Sequence, residues 1–332
     1  YNMNSVGTGP YKLVDYQSGS YLKFEANENY YKGEPSIKNV VFQIIENADT
    51  AILALQNGEV DAYQMTPQQV KKLDLDASNL STYSYSEGRV GYLEINCNRV
   101  TDEKVRKALL YAMDRKAMDD AAFESSEYYS IPYTFLPTNS QFYTEDGVEK
   151  YEQDVDKAKS MLEDAGVSGL KLKLGYMSSD AVQSAQALLI QEQLKEVGVT
   201  VELAGGDGTA IANAMKDPDN EYDMYLGGYI MGIDPDTFSS LFENDGAYNY
   251  MHYSGYDTID QLFEEGRSEL DESARKETYA KLQAAVQDTG AFYPIISNNK
   301  ILVVNNRIQG VEDAGLVPVY TFEDTSSLKI AE

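Results

Sequence analysis

Residues Tyr222 to Pro235 read YDMYLGGYIMGIDP, an apolar run broken by two glycines and closed by Asp-Pro. Tyr222, Met224 and Leu226 alternate with Asp223 and Tyr225, the period of two that marks a strand. Gly227 and Gly228 would let a ligand or another strand come close to the backbone. Tyr229, Ile230 and Met231 are expected to leave the strand end as large side chains on a loop, where α/β folds gather ligand contacts. The plainer reading makes Gly-Gly a bulge and the loop simple packing.

Upstream, the helix near Val155 to Gly166, the strand Leu170 to Leu174, the helix Ala181 to Val197, the strand Val199 to Leu203 and the short helix Thr209 to Lys216 lead into this strand. Strand and helix alternating at this spacing predict right-handed crossovers and a mostly parallel sheet. Downstream, helices near Thr258 to Leu270 and Ala274 to Asp288 precede the apolar run Ala291 to Ile296 and an extended tail. Residues Pro10 to Asp61 predict a hairpin, a third strand with Val40, Phe42 and Ile44 as its buried face, and a helix stopping at Gly58.

A second strand is expected from Arg89 to Asn98, RVGYLEINCN. Alternation puts Leu93 and Ile95 on one face and Tyr92, Glu94 and Asn96 on the other. Three polar groups in one row need water, partners or a ligand. A helix from Asp102 to Lys116, capped by Thr101, and a long surface loop from Phe123 to Gly147 follow. A sheet-rich start, an α/β middle and a sheet-rich end fit one lobe interrupted by another, with chain crossings near Asn96 and Ile296. The expected division is 1–97 and 294–332 in the first lobe and 98–293 in the second, around a hinged cleft.

The chemistry missing from the chain narrows its function. The formal charge of -27 repels phosphate backbones and anionic lipid, which argues against nucleic-acid partners and membrane surfaces. No run of about 18 apolar residues spans a membrane. One cysteine, Cys97, and one histidine, His252, leave no disulfide framework, no cysteine or histidine metal cluster and no resident cofactor motif. Asp217, Asp219 and Glu221 begin like a calcium loop, but Tyr222 replaces its glycine. Asp234 and Asp236 could do acid-base work, and read more simply as a turn and helix start. The 27 tyrosines, with no tryptophan, offer area plus a hydroxyl, as recognition surfaces use.

Six segments in order carry a resemblance: GTGPYKL at Gly7 to Leu13, ANENYYKGEP at Ala26 to Pro35, LQNGEVDAY at Leu55 to Tyr63, VRKALLYAMDR at Val105 to Arg115, AKSMLEDAG at Ala158 to Gly166, and YDMYLGGYIMGIDPDTF at Tyr222 to Phe238. The chain resembles the family 5 extracellular solute-binding proteins, receptors of bacterial ABC importers for dipeptides and oligopeptides. The resemblance implies an α/β periplasmic-binding-protein fold of type II, cluster C, whose hinged lobes close on a ligand. It also implies that this is a fragment, with the beginning of lobe I, the small lobe II and a lipoprotein signal outside the sequence.

The residues that the resemblance assigns to the ligand are Tyr92, Glu94 and Asn96 on one strand and Gly228, Tyr229, Ile230, Met231 and Asp234 on the other segment. Relatives carry an aspartate for the peptide amino terminus where Gly232 stands here, so Asp234 or Glu94 would supply that charge. The expected protein is a monomeric, extracytoplasmic receptor, periplasmic or lipid-anchored, that passes peptides to a membrane permease. An oligosaccharide or other small-solute receptor, a hydrolase using Asp234 and Asp236, and a sensor stay open beside it.

Overall fold

The computed structural model describes residues 6–75, 78–123, 126–230, 234–318 and 320–331. It divides into two units, one formed by the chain up to Glu87 with the chain from Asn299 onward, the other by Gly88–Asn298. The chain passes between them inside two long strands.

In the first unit β1 (Tyr11–Gln17), β2 (Tyr21–Ala26) and β3 (Asn39–Gln43) pair antiparallel in that order, with Gly19 at φ 71° in the hairpin turn. Val40, Phe42 and Ile44 were expected to be buried, yet Phe42 is 60% exposed and Ile44 45%. β3 is the sheet's edge strand, so cover comes from one neighbour only, and the Phe42 ring meets Phe24 edge-on at 5.7 Å. Helix α1 (Ala48–Gln56) starts where the Asn47 side chain accepts from the Thr50 N–H, and it ends as expected before Gly58, at φ 73°. Next come β4 (Ala62–Met65) and the single-turn α2 (Pro67–Val70), which opens with a Thr66–Gln69 capping box.

Strand β5 (Leu80–Ile95) begins nine residues before the expected Arg89. Its first half, Ser81 to Ser86, alternates serine or threonine with Tyr83 and Tyr85, and those rings pack with Leu302, Val304 and Val311. The second unit continues with α3 (Glu103–Tyr111) and α4 (Arg115–Phe123), where one helix was expected. Asp102, rather than Thr101, caps α3 by accepting from the Lys104 N–H. The break follows from Asp114: its carboxylate accepts from the Ala117 N–H and so starts a new helix, while its own N–H donates to Gln193.

After the two-residue β6 (Tyr129–Ser130) come α5 (Val155–Asp164), β7 (Lys171–Met177), α6 (Ala181–Glu196), β8 (Thr200–Gly206), α7 (Gly208–Ala214) and β9 (Met224–Ile230). The short α8 (Ser239–Phe242), then α9 (Asp257–Ser268) and α10 (Glu272–Asp288), lead to β10 (Phe292–Asn305). Within this unit the strand order is β10-β5-β9-β7-β8. β7 pairs parallel with both β8 and β9, as the βαβ pattern requires, whereas β5 and β9 are antiparallel. The class is mixed α/β.

Each face of that sheet has its own core. Leu93, Ile95, Met224 and Leu226 pack beneath α3, α5 and α6, while Val90 and Tyr92 join Phe238, Phe242, Phe263 and Phe292 under α8 to α10. The segment from Phe123 to Gly147 is irregular, as its prolines dictate, but it is not a surface loop: Phe135, Leu136 and Phe142 are buried in the second core. The Gln283 side chain replaces the missing ladder bonds, donating to the Phe142 carbonyl at 2.8 Å and accepting from the Thr144 N–H and the Thr134 hydroxyl. The returning chain adds β11 (Ile308–Gln309) paired with β14 (Lys329–Ile330), and β12 (Leu316–Val317) paired with β13 (Thr321–Phe322).

Candidate functional site

The two segments singled out from the sequence are partners. β5 and β9 run antiparallel in unbroken register, Arg89 opposite Ile230, Val90 opposite Tyr229, Gly91 opposite Gly228, Tyr92 opposite Gly227 and Glu94 opposite Tyr225. Gly227 and Gly228 therefore sit in mid-strand, neither at its end nor in a bulge, and Tyr229 and Ile230 still belong to the ladder. The cause lies on the partner strand. A Cβ on Gly227 would stand 2.5 Å from Cε2 of Tyr92, and one on Gly228 would stand 1.9 Å from Nη2 of Arg89. Each glycine leaves room for one large cross-strand side chain, on opposite faces of the ribbon.

On the face shared by Tyr92, Glu94 and Tyr229, alternation holds as read, but the row is not solvated. Tyr92 is 6% exposed, with its ring over Gly227 and 4.7 Å from the ring of Phe292; Glu94 and Asn96 are both fully buried. Neither Glu94 carboxylate oxygen has a hydrogen-bond partner among the described residues, and burial pushes this carboxyl well above the usual range. The phenols of Tyr225 and Tyr250 are pushed up to about 12, by burial first and the Glu94 charge second. Asn96 accepts from the Asn98 N–H at 3.0 Å, a turn contact.

At the far end of the ribbon Tyr229 is partly buried, 6.2 Å from Phe238 and 6.0 Å from Tyr248, with its hydroxyl 3.4 Å from Ser240 Oγ. Ile230, on the other face, is 49% exposed. Met231 and Gly232 lie outside the described residues. Asp234 caps the turn Pro235–Phe238, accepting from the Asp236 N–H, and both its oxygens lie within 2.8 Å of Arg275 Nη2. Asp236 is ion-paired to Arg267 at 2.8 Å. The acid pair is thus divided between two guanidiniums, in the geometry of a fastened turn.

The two lone reactive side chains are occupied. His252 Nε2 lies 2.7 Å from the Met215 carbonyl oxygen, and burial raises the Cys97 thiol to about 11. Among the described residues no group of three or more His, Cys, Asp or Glu could hold a metal ion, and no helix is long and apolar enough to cross a membrane. Arg89 and Arg275 were missed in the sequence. Arg89 carried a signal: it is the one cation in an otherwise neutral or acidic strand, RVGYLEIN.

The fold is shared with known proteins. Residues 1–250 match the family model described as bacterial extracellular solute-binding proteins, family 5, middle. The oligopeptide-binding protein AppA of Bacillus subtilis is 26% identical over 328 residues, an alignment covering 91% of this chain and 58% of that protein. The chain therefore spans about three-fifths of the length of the curated relatives it matches. The crystal structure of the ABC transporter substrate-binding protein CtaP from Listeria monocytogenes superposes with a TM-score of 0.93 at 38% identity, over 100% of this chain and 68% of that one. The AppA protein of Clostridium difficile gives a TM-score of 0.91 at 33% identity, over 98% and 68%. Relatives at 24% identity include proteins named nickel-binding and heme-binding. With its model matched over three-quarters of the residues and two close structural neighbours, this chain belongs to family 5 of the bacterial extracellular solute-binding proteins.

Proposed function

We propose that this chain is the ligand-holding part of an extracytoplasmic receptor that captures peptides and delivers them to the permease of an ABC importer. The observation that carries the reading is the Gly228–Ile230 end of the β5–β9 ribbon. Backbone laddered to β5 but past the β7 pairing at Gly228, a half-buried phenol at Tyr229 and an exposed aliphatic at Ile230 lie on adjacent residues. A peptide offers main-chain groups to the side of a strand beyond its ladder and side chains to an aromatic and an aliphatic surface. Relatives named for oligopeptide and dipeptide binding support the same class.

In this reading Gly228, Tyr229, Ile230 and the adjoining Met231 meet the solute, and Tyr92, buried on the Tyr229 face, braces the ribbon from within. Glu94 and Asn96 are interior groups that fix the ribbon's register, and Asp234 with Arg275 holds the following turn. A small-solute or oligosaccharide receptor is the second reading, favoured by the cluster of Tyr229, Tyr248, Tyr250 and Tyr225, whose rings meet edge-on or tilted, since clustered phenols also suit sugar faces. Native mass spectrometry of the protein purified without refolding, with fragmentation of whatever dissociates on denaturation, separates the two. A ladder of peptide masses is expected, and a discrete glycan mass would transfer the assignment to the second reading.

A further inference from the structure

The glycines of the ribbon make room for one charge that no described residue pairs. A Cβ on Gly228 would lie 1.9, 2.2 and 2.6 Å from Nη2, Cζ and Nε of Arg89, and a Cβ on Gly91 would lie 3.4 Å from its Nη1. Gly91 and Gly228 are register partners; the guanidinium rests over Gly228, while the Ile296 side chain, 2.8 Å from a Cβ at Gly91, shares the cover of Gly91. Arg89 is partly buried there, beside the exposed Ile230.

Among the described residues no acid is ion-paired to Arg89, Glu87 two residues earlier on β5 included. Glu94 projects from the opposite face of β5, and its carboxyl is governed by burial. The acids before and after β9 belong to other guanidiniums: Asp223 to Arg99, Asp234 to Arg275 and Asp236 to Arg267. No hydrogen bond or ion pair joins the Arg89 guanidinium to any described residue. Arg106 and Arg115 also lack an acid but donate to backbone carbonyls, whereas the Arg89 guanidinium has no such acceptor among the described residues. A guanidinium presents a planar fork of donors matched to a carboxylate, and partial burial strengthens that bond.

We propose that Arg89 receives the carboxylate of the captured solute, and that in a peptide this is the C-terminal carboxylate. The assignment rests on the reading of the chain as a peptide receptor. Of the two charges that every free peptide carries, only the carboxylate can accept from a guanidinium. Its placement over Gly228, beside the exposed Ile230, puts that contact at the end of the ribbon assigned to the solute.

The test compares the full-length protein with its Arg89→Gln and Arg89→Lys variants. Each is titrated with a mixed library of tri- to pentapeptides bearing free C termini and with the same library amidated at the C terminus. The wild type is expected to bind the free-acid library about 10- to 100-fold more tightly than the amides. Arg89→Gln should bind both libraries alike, and Arg89→Lys should keep part of the preference. Because the readout is a ratio within one protein, a loss of stability cannot mimic it. Equal binding of acids and amides by the wild type, or a preference that survives in Arg89→Gln, would overturn the role of Arg89 and leave the peptide reading intact. Binding of neither library by the wild type would overturn both.

Discussion

The β5–β9 ribbon has two faces that use the same device for opposite ends. On one face Gly227 makes room for Tyr92, whose ring is sealed against Phe292, and the row continues inward to a buried Glu94. On the other face Gly228 makes room for Arg89, which stays partly exposed and unpaired beside Ile230. Adjacent glycines thus serve an interior and a recognition surface. Glycine in a strand is informative only once its cross-strand partner is known.

The contrast is most easily broken at the glycines. Gly227→Ala places a methyl group 2.5 Å from a ring that has nowhere to move, and should destabilise the protein by about 2 to 3 kcal/mol in a urea titration. Gly228→Ala meets only the flexible end of Arg89 and should cost under about 0.5 kcal/mol. Equal losses would erase the distinction between the faces. Tyr229→Ala should weaken solute binding by about 1 to 3 kcal/mol by calorimetry while leaving the unfolding midpoint nearly unchanged. The reverse pattern would make Tyr229 a core residue.

Glu94 gives the interior face a pH signature. Its carboxyl is held above the ordinary range, so the native state keeps a proton that the unfolded chain releases, and its drag on stability is absent below about pH 4.5 and grows as pH rises. Glu94→Gln should therefore gain on the wild type by at most about 1.4 kcal/mol per pH unit as pH rises above that value. A flat difference across pH 5 to about 8 would mean that the carboxylate ionises without cost. The smallest change belongs to Asp234→Asn: its ion pair with Arg275 is partly exposed, so the stability loss should stay within about 1 kcal/mol and shrink further in high salt.

Much of this fold was legible because local chemistry decides it. The βαβ order from Val155 to Leu226, the Gly58 stop and the face of Tyr92, Glu94 and Asn96 all follow from period and capping. What escaped depends on partners remote in sequence. The Gly-Gly pair read as a strand end because Tyr92 and Arg89 lie more than 130 residues away. Phe123 to Gly147 read as surface because the side chain that satisfies its backbone is Gln283. The helix break had a local signal, Asp114 ahead of Arg115, which the continuous apolar stripe outweighed. The buried state of Glu94 had none, since an acid in an alternating strand is ordinarily solvated.

Hydrogen exchange of the protein with and without a bound peptide pool tests the central assignment most directly. The account predicts slowed exchange at Arg89 to Tyr92 and at Gly228 to Ile230, with little change along the interior stretch from Glu94 to Asn96. Protection confined to other parts of the molecule, with the ribbon end unaffected by a peptide that demonstrably binds, would contradict it.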